Sequence, residues 1–460
     1  MQADSPEKHE AFLASPRRHI LMITNHGIHQ WRVLPGLPDT GGQNVFVNRF
    51  TGELVNQGFR VTIVNRGGYP HPKTGEPRQG VRYRDEHRRI LYLEDGLEAF
   101  VRKEEMHERL PYLVRALERF VEEEGTEVDL ILSHYWDGAA LGARYNRLRQ
   151  EGARHVWIPH SLGTVKKRNV EAERWEGLRI EERIAVERSL VEEVDGVAAT
   201  SSIIREALRE DYGYTGPDLF LPPCVDVLRY HPRVLGSADE VWDFLASRCD
   251  LSPEEIRRRR IVTEISRTDT TKRKDLLIEA FAAAHRRVPE SLLLVSIDEG
   301  QQPLAQELLA LIEKRGVGDA VVVVGSVPEW LPRLYAASAV YCTPSVMEGF
   351  GMSAQEAAAT GVPVVASDLV PFATEYLLGD EVTSIPVEGS EHSLRVGEGA
   401  VVVPADDLQG FAQALERLLL DAGLRTRLGA GALRITVPYF TWSSRVPAFL
   451  EAIDVESDRG

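Results

Sequence analysis

The chain has 460 residues, 43% of them hydrophobic, and a formal net charge of −16. Such a length exceeds what a single core holds comfortably and suits two domains, while the acidic balance excludes a nonspecific nucleic-acid binder. No window approaches the about 20 consecutive apolar residues of a membrane span, and Cys224, Cys249 and Cys342 lack the spacing of a disulfide framework or a thiolate metal site, which suits a reducing cytoplasm.

After a polar leader over 1–18, His19 to Asn25 reads as a first strand. An irregular loop then runs to Gly41-Gly42, and apolar residues at helical spacing from Val45 to Gln57 put that glycine pair at a helix N-terminus. A backbone without Cβ atoms can approach a phosphate closely there, and the free helix N–H groups can receive it, although a glycine pair before a helix is weak evidence alone. Arg60 to Val64 is a second strand. The stretch 67–89, interrupted by Gly68, Pro70, Pro72, Gly75 and Gly80, reads as a rim loop or a solvent-facing excursion, and 97–124 as two charged helices broken near Pro111.

Val128 to His134 is a strand that delivers Tyr135, Trp136 and Asp137 at its carboxyl end, where open α/β sheets meet ligands. The pattern recurs from Arg154 to Pro159, followed by His160-Ser161-Leu162-Gly163 and the basic run Lys166-Lys167-Arg168, which suits either a phosphorylated substrate or a solvated face. Arg183 and Glu187, one turn apart on the next helix, have the spacing of a surface ion pair. Residues 1–226 therefore form one α/β domain and 227–258 a charged linker with a short helix; the Arg257 to Arg260 run is expected to be a solvated helix end.

A second α/β series follows over 259–438: strands at Ile261–Ile265, Ser291–Ile297, Ala320–Val324, Ala339–Cys342, Val362–Ala366 and Ala400–Val403. Arg267 and Lys272 sit beyond its first strand. Pro344 to Gly361 then reads as strand end, glycine-bearing turn and helix, with Glu348 on the turn and Glu356 one turn into the helix. Those carboxylates could hold sugar hydroxyls and a ribose, and taken alone they also suit a solvated turn, a dipole-stabilised first helical turn, or the paired carboxylates of a glycosidase. Residues 439–460 read as a helical segment returning to the first domain. Two such halves predict α/β architecture with two Rossmann-like domains facing a central cleft.

Thr40-Gly41-Gly42-Gln43, His160-Ser161-Leu162-Gly163 with Lys166, Arg183-Ile184 with Glu187, Arg267 with Lys272, and the pair Glu348 and Glu356 in a Glu-Gly-Phe-Gly context occur together in one order. In that combination the sequence resembles the retaining glycosyltransferases of family 4, which have the GT-B fold, and among them synthases of the sucrose-phosphate, mannosylfructose-phosphate and mannosylglucosyl-3-phosphoglycerate type. The resemblance implies a hexosyltransferase moving glucose or mannose from UDP-glucose or GDP-mannose to a phosphorylated small acceptor. Gly41 and Gly42 would approach the donor, and His160 would face the donor sugar near its C6 hydroxyl. Arg267 and Lys272 would neutralise the diphosphate, Glu348 would hold the sugar and Glu356 the ribose, and Gly349, Phe350, Gly351, Met352 and Ser353 would add donor contacts. Asp137 would lie near the acceptor, with Lys103, Lys167 and Arg183 on its phosphate. No cofactor or ligand-defined metal site is implied, Mg²⁺ acting as a stimulant only. Thr268-Asp269-Thr270-Thr271, Met352-Ser353 and the stretch 93–104 depart from the sucrose-phosphate synthase pattern. The product is thereby left open, as is the oligomeric state. Two rival readings follow from the same motifs: a transferase of this fold using an unphosphorylated or lipid-linked acceptor, and a non-catalytic nucleotide-sugar-binding protein.

Overall fold

The computed structural model describes residues 5–34, 37–149, 151–298, 300 and 303–455; the first residues of the expected leader and the last five of the expected C-terminal segment lie outside them. The chain divides into two compact units, Met1–Cys224 with Trp442–Gly460, and Val225–Thr441.

The first unit is built on β1 (His19–Ile23), β2 (Arg60–Arg66), β3 (Gly80–Tyr83), β4 (Arg88–Leu93), β5 (Leu130–His134), β6 (Arg154–Ile158), β7 (Gly196–Ala199) and β8 (Leu219–Phe220), in the order β3-β4-β2-β1-β5-β6-β7-β8. Every neighbouring pair is parallel except β3 with β4. β1 and β5 are buried along their whole length, which is why they read as continuous apolar runs and not as alternating ones. Leu21 and Ile23 face one core with the helices Leu110–Glu124 and Tyr135–Leu148, while Ile20 and Met22 face the other. That second core includes Phe46 and Phe50 of the helix Gly42–Asn56 and Trp442, Val446 and Phe449 of the helix Trp442–Ala452.

Two expectations change here. The stretch 67–89 ends in the β3–β4 hairpin at the sheet edge, which the apolar pattern hid because Arg89 is fully buried, paired with Glu124 and laid over the Phe12 ring. The first of the two helices expected over 97–124 is a 3₁₀ segment, Lys103–Arg109, and Pro111 sits in the opening turn of Leu110–Glu124, where its missing N–H costs nothing.

The second unit carries β9 (Arg260–Glu264), β10 (Ser291–Ser296), β11 (Val321–Val324), β12 (Ser338–Thr343), β13 (Val364–Ser367), β14 (Thr383–Pro386), β15 (Ser393–Val396) and β16 (Ala400–Val403), in the order β11-β10-β9-β12-β13-β16-β15-β14. β14 and β15 are an antiparallel edge hairpin that the sequence pattern did not reveal; β14 is largely exposed and has no buried face to create a period. Within 227–258 two short helices, Glu240–Ala246 and Pro253–Arg258, set Val241, Trp242, Leu245 and Ile256 against Ile261, Leu292 and Val322 of the sheet.

Each sheet reverses its strand order beside its first strand: between β1 and β5 in one unit, and between β9 and β12 in the other. Loops leaving the carboxyl ends of strands at such a reversal diverge and leave a crevice, where open α/β sheets bind ligands.

Candidate active site

In the second unit, the loop after β9 and the turn after β12 meet at the reversal. They are stitched together: Val346 N–H and Ser345 Oγ both donate to the Thr271 carbonyl, at 2.8 and 3.1 Å. Asp269 accepts from Thr271 N–H at 3.0 Å and Thr268 Oγ1 from Asp298 N–H at 2.8 Å, which fixes the loop between Arg267 and Lys272. The turn enters the helix Met352–Ala359 through Gly351, whose φ is +107° and where a Cβ would lie 2.8 Å from Val370 Cγ1, so only glycine fits. The helix N–H groups therefore open directly beside the turn.

On this frame Lys272, 9% exposed, donates to Glu348 Oε1 at 2.6 Å. Arg267 is 85% exposed, with Asp269 3.6 Å away. Half-buried Glu356 accepts at Oε2 from Tyr335 OH at 3.2 Å, and burial followed by the charge of Glu356 holds that phenol well above its ordinary value. Gly349 is exposed with open space around it, and Met352 and Ser353 are half-buried. Phe350 differs: its ring is buried against Phe372 and Phe440, and its carbonyl accepts from Phe372 N–H. Beneath the loop Lys274 is buried, donating to Glu264 and to Ser296 Oγ at 3.0 Å; burial pulls its pKa down and Glu264 opposes the change.

In the first unit the reversal brings Asn25 and His26 against Asp137. His26 Nδ1 lies 2.8 Å from Asp137 Oδ1, His26 N–H donates to Asp137 Oδ2 at 3.1 Å, and Asn25 Nδ2 donates to the Asp137 carbonyl at 2.8 Å. Asp137 is fully buried, so it presents His26 and is not itself offered to a ligand. His26, which sequence reasoning missed, was signalled only by its place just beyond β1. Gly138 then runs so close to β1 that a Cβ would meet the Ile23 carbonyl at 2.8 Å. Gly42 begins the helix Gly42–Asn56; the extended Gly41 donates its N–H to Asn44 Oδ1 at 2.9 Å and has nothing near its would-be Cβ.

His160, half-buried and with φ +55°, sits with Nε2 2.8 Å from His134 Nδ1. Burial, then the charge of His26, pushes its pKa down to about 3, so it is neutral at pH 7.

A few residues away, the cations divide into two groups. Lys103, Glu104, Tyr135, Lys166, Arg179 and Arg183 line one small pocket. Arg183 is 5% exposed and fully engaged, donating to Glu187 Oε1, Tyr135 OH and the Ser161 carbonyl, each at 2.7 Å. Glu187, completely buried, also accepts from Gly163 N–H at 2.8 Å and from Tyr212 OH, so the predicted surface pair is instead a buried bracket. Lys103 meets Asp39 at 2.6 Å. Lys166 lies 3.7 Å from Glu104, and burial, then Lys103 and Arg183, pull its pKa down, the signature of a cation among cations. Lys167, its neighbour, pairs with Glu181 and lies over the Trp175 ring, 4.6 Å from its centroid. Lys167 therefore does not join the pocket, and Lys166 does; the Lys166-Lys167 dipeptide signalled a cation without saying which of the two.

No group of three or more His, Cys, Asp or Glu side chains able to hold a metal occurs among the described residues, and no helix there is long and apolar enough to cross a membrane.

Residues 40–228 match the family model of Glycosyltransferase Family 4, and residues 252–434 that of Glycosyl transferases group 1. The mannosylfructose-phosphate synthase of Agrobacterium fabrum (strain C58) is 30% identical over 367 residues, which cover 76% of each chain. A D-inositol 3-phosphate glycosyltransferase of Nocardia farcinica is 28% identical over 431 residues, 91% of this chain and 85% of its own. Among solved structures, a sucrose-phosphate synthase from Thermosynechococcus elongatus aligns with a TM-score of 0.73 at 26% identity, covering 95% of this chain and 98% of that one.

Proposed function

The chain belongs to the family 4 glycosyltransferases of GT-B fold, and on that premise we propose that it transfers glucose or mannose from UDP-glucose or GDP-mannose to a phosphorylated small acceptor with retention of configuration. The observation that carries the acceptor is the convergence of Lys103, Lys166, Arg179 and Arg183 on one pocket whose acids are Glu104 and Glu182. Lys103 meets Asp39, Arg179 meets Glu108 and Glu182, and Arg183 meets Glu187, which leaves Lys166, 3.7 Å from Glu104, as the cation a phosphate dianion would engage first. The names of the relatives support this reading, since each names a phosphorylated sugar or polyol.

The second unit holds the donor. Glu356 takes the ribose hydroxyls, Glu348 the sugar hydroxyls, and the N–H groups from Gly349 to Ser353 the diphosphate, to which Phe350 brings backbone only. As the glycosidic bond breaks, negative charge grows on the departing diphosphate; Arg267 and Lys272 strengthen their hold as it grows and so lower the barrier. Lys272 must then be shared between Glu348 and the phosphate, which couples sugar binding to departure. The departing phosphate takes the acceptor's proton on the face it leaves, and neither glutamate acts as a nucleophile.

An array of UDP-glucose and GDP-mannose against fructose 6-phosphate, glucose 6-phosphate, 3-phosphoglycerate, glucosyl-3-phosphoglycerate and inositol 3-phosphate, read as nucleoside diphosphate released and product mass, tests the assignment. Turnover with at least one phosphorylated acceptor is expected. Release that needs an unphosphorylated or lipid-linked acceptor would overturn it.

A further inference from the structure

The carboxyl ends of β5 and β6 place two imidazoles against each other. The rings of His134 and His160 are 19° from coplanar with centroids 5.1 Å apart, a separation close to the 2.8 Å nitrogen contact plus the two ring radii. They are therefore joined edge to edge by one in-plane hydrogen bond and are not stacked face to face. Both are held neutral: burial, then His160, pushes the His134 pKa well below its ordinary value, and burial, then His26, does the same to His160. Two neutral imidazoles share two protons, and one lies in the contact.

Where the other proton sits follows from the surroundings. His134 is fully buried, and its Nε2 has no hydrogen-bond partner among the described residues. Its neighbours include the rings of Phe46 at 5.9 Å and Phe50 at 6.5 Å, themselves packed on Trp442, and His29 and His26 lie near enough to disfavour its charged form. If His160 donated across the contact, His134 would have to carry its proton on Nε2, a buried N–H with no acceptor among the described residues. If His134 donates, Nε2 keeps only a lone pair. A buried N–H without an acceptor is rarer in folded proteins than a buried acceptor without a donor, and the single Nε2 lone pair is then the group left unpartnered. The positive φ of His160 and the Phe46 ring 4.8 Å from it hold this orientation.

We propose that His134 is a positioning residue that donates its Nδ1–H to His160 Nε2 and thereby fixes His160 as the Nδ1–H tautomer, so that the nitrogen left open by the protein is a hydrogen-bond donor. Resting on the reading that His160 meets the donor sugar, this makes the partner of His160 a lone pair on a sugar hydroxyl oxygen. A hydroxyl accepting there is free to give its own proton elsewhere.

The test is long-range ¹⁵N–¹H correlation on histidine-labelled, unliganded full-length protein at pH 7, with His160→Gln used for assignment. The expected result is a protonated Nδ1 and an unprotonated Nε2 on His160; the reverse assignment overturns the proposal whether or not any substrate is turned over. Kinetics give the second readout. His134→Asn, whose amide N–H falls where Nδ1 lies, keeps the tautomer and kcat, whereas His134→Leu lowers kcat by about five- to tenfold, the worth of one net hydrogen bond, with acceptor KM unchanged. Equal losses in the Asn and Leu variants would mean that His134 only fills space. Absence of turnover in the unsubstituted protein with every acceptor would count against the transferase reading and leave the tautomer result standing on its own.

Discussion

The two sheet reversals both lie beside the first strand of their sheet and differ in how they manage charge. In the second unit ionic groups stand open or meet across loops: Arg267 is 85% exposed and Lys272 shares Glu348. In the first unit charge is buried and already spoken for, as in the Arg183–Glu187 bracket, and the groups facing outward include neutral imidazoles. An open cation can respond to charge that appears during reaction, while a bracketed one holds a fixed shape. The first arrangement suits a departing diphosphate and the second a phosphate and sugar that keep their charge throughout.

The contrast breaks most sharply at Arg183. Arg183→Ala leaves Glu187 buried without its cation, and we expect a stability loss of about 3–5 kcal/mol by urea unfolding, together with loss of phosphorylated-acceptor turnover. A stable variant defective only in acceptor KM would show that the bracket is not structural. Next in size, Arg267→Ala should lower kcat by about 10²–10³-fold, the range found when one preorganised charge-stabilising donor is removed, while urea unfolding stays unchanged. Lys272→Ala should match it in kcat. If either variant instead raises donor KM and spares kcat, the cation binds the ground state and the contrast loses its mechanistic meaning.

A smaller effect separates two adjacent lysines. Lys166→Ala should raise acceptor KM by about 10–100-fold, as expected for one hydrogen bond to a charged group, and Lys167→Ala should leave it within error in initial-rate assays. The smallest effect is acid sensitivity. In the first unit burial lowers His160 and His155 to about 3 and His29 to about 4, from 6.5. A depressed imidazole pKa means that the unfolded chain takes up the proton first, so the stability is fully present above pH 6.5 and drains as pH falls toward the folded values. In the second unit the displaced imidazole, His285, is partly exposed. Limited proteolysis with mass mapping between neutral pH and about pH 4, the folded value of His29, should open the first unit before the second; the opposite order would contradict the assignment of buried neutral histidines.

The parallel strands were legible because they are buried on both faces and read as unbroken apolar runs, and the positions of Gly41, Gly42, Glu348 and Glu356 followed from those strands and the helices after them. Other features depended on packing that composition does not carry. Lys166 and Lys167 are neighbours on the helix Gly163–Arg168, and only the docking of that helix decides which one turns to the pocket. Arg183 and Glu187 have the spacing of any exposed helical pair, and their burial comes from Tyr135, Ser161, Gly163 and Tyr212 closing over them. Asp137 is at a strand end, as ligand-binding residues often are, yet it faces His26 because Gly138 lets its helix sit against β1. Phe350, inside a motif of small and polar residues, was drawn into the core by Phe372 and Phe440.

The most direct measurement compares one acceptor with and without its phosphate, for the unsubstituted protein and for Lys166→Ala, following release of nucleoside diphosphate from UDP-glucose or GDP-mannose. We predict turnover that requires the phosphate and falls when Lys166 is removed. Equal turnover of the phosphorylated and dephosphorylated acceptor, unaffected by Lys166→Ala, would contradict the assignment of the first unit's cationic pocket.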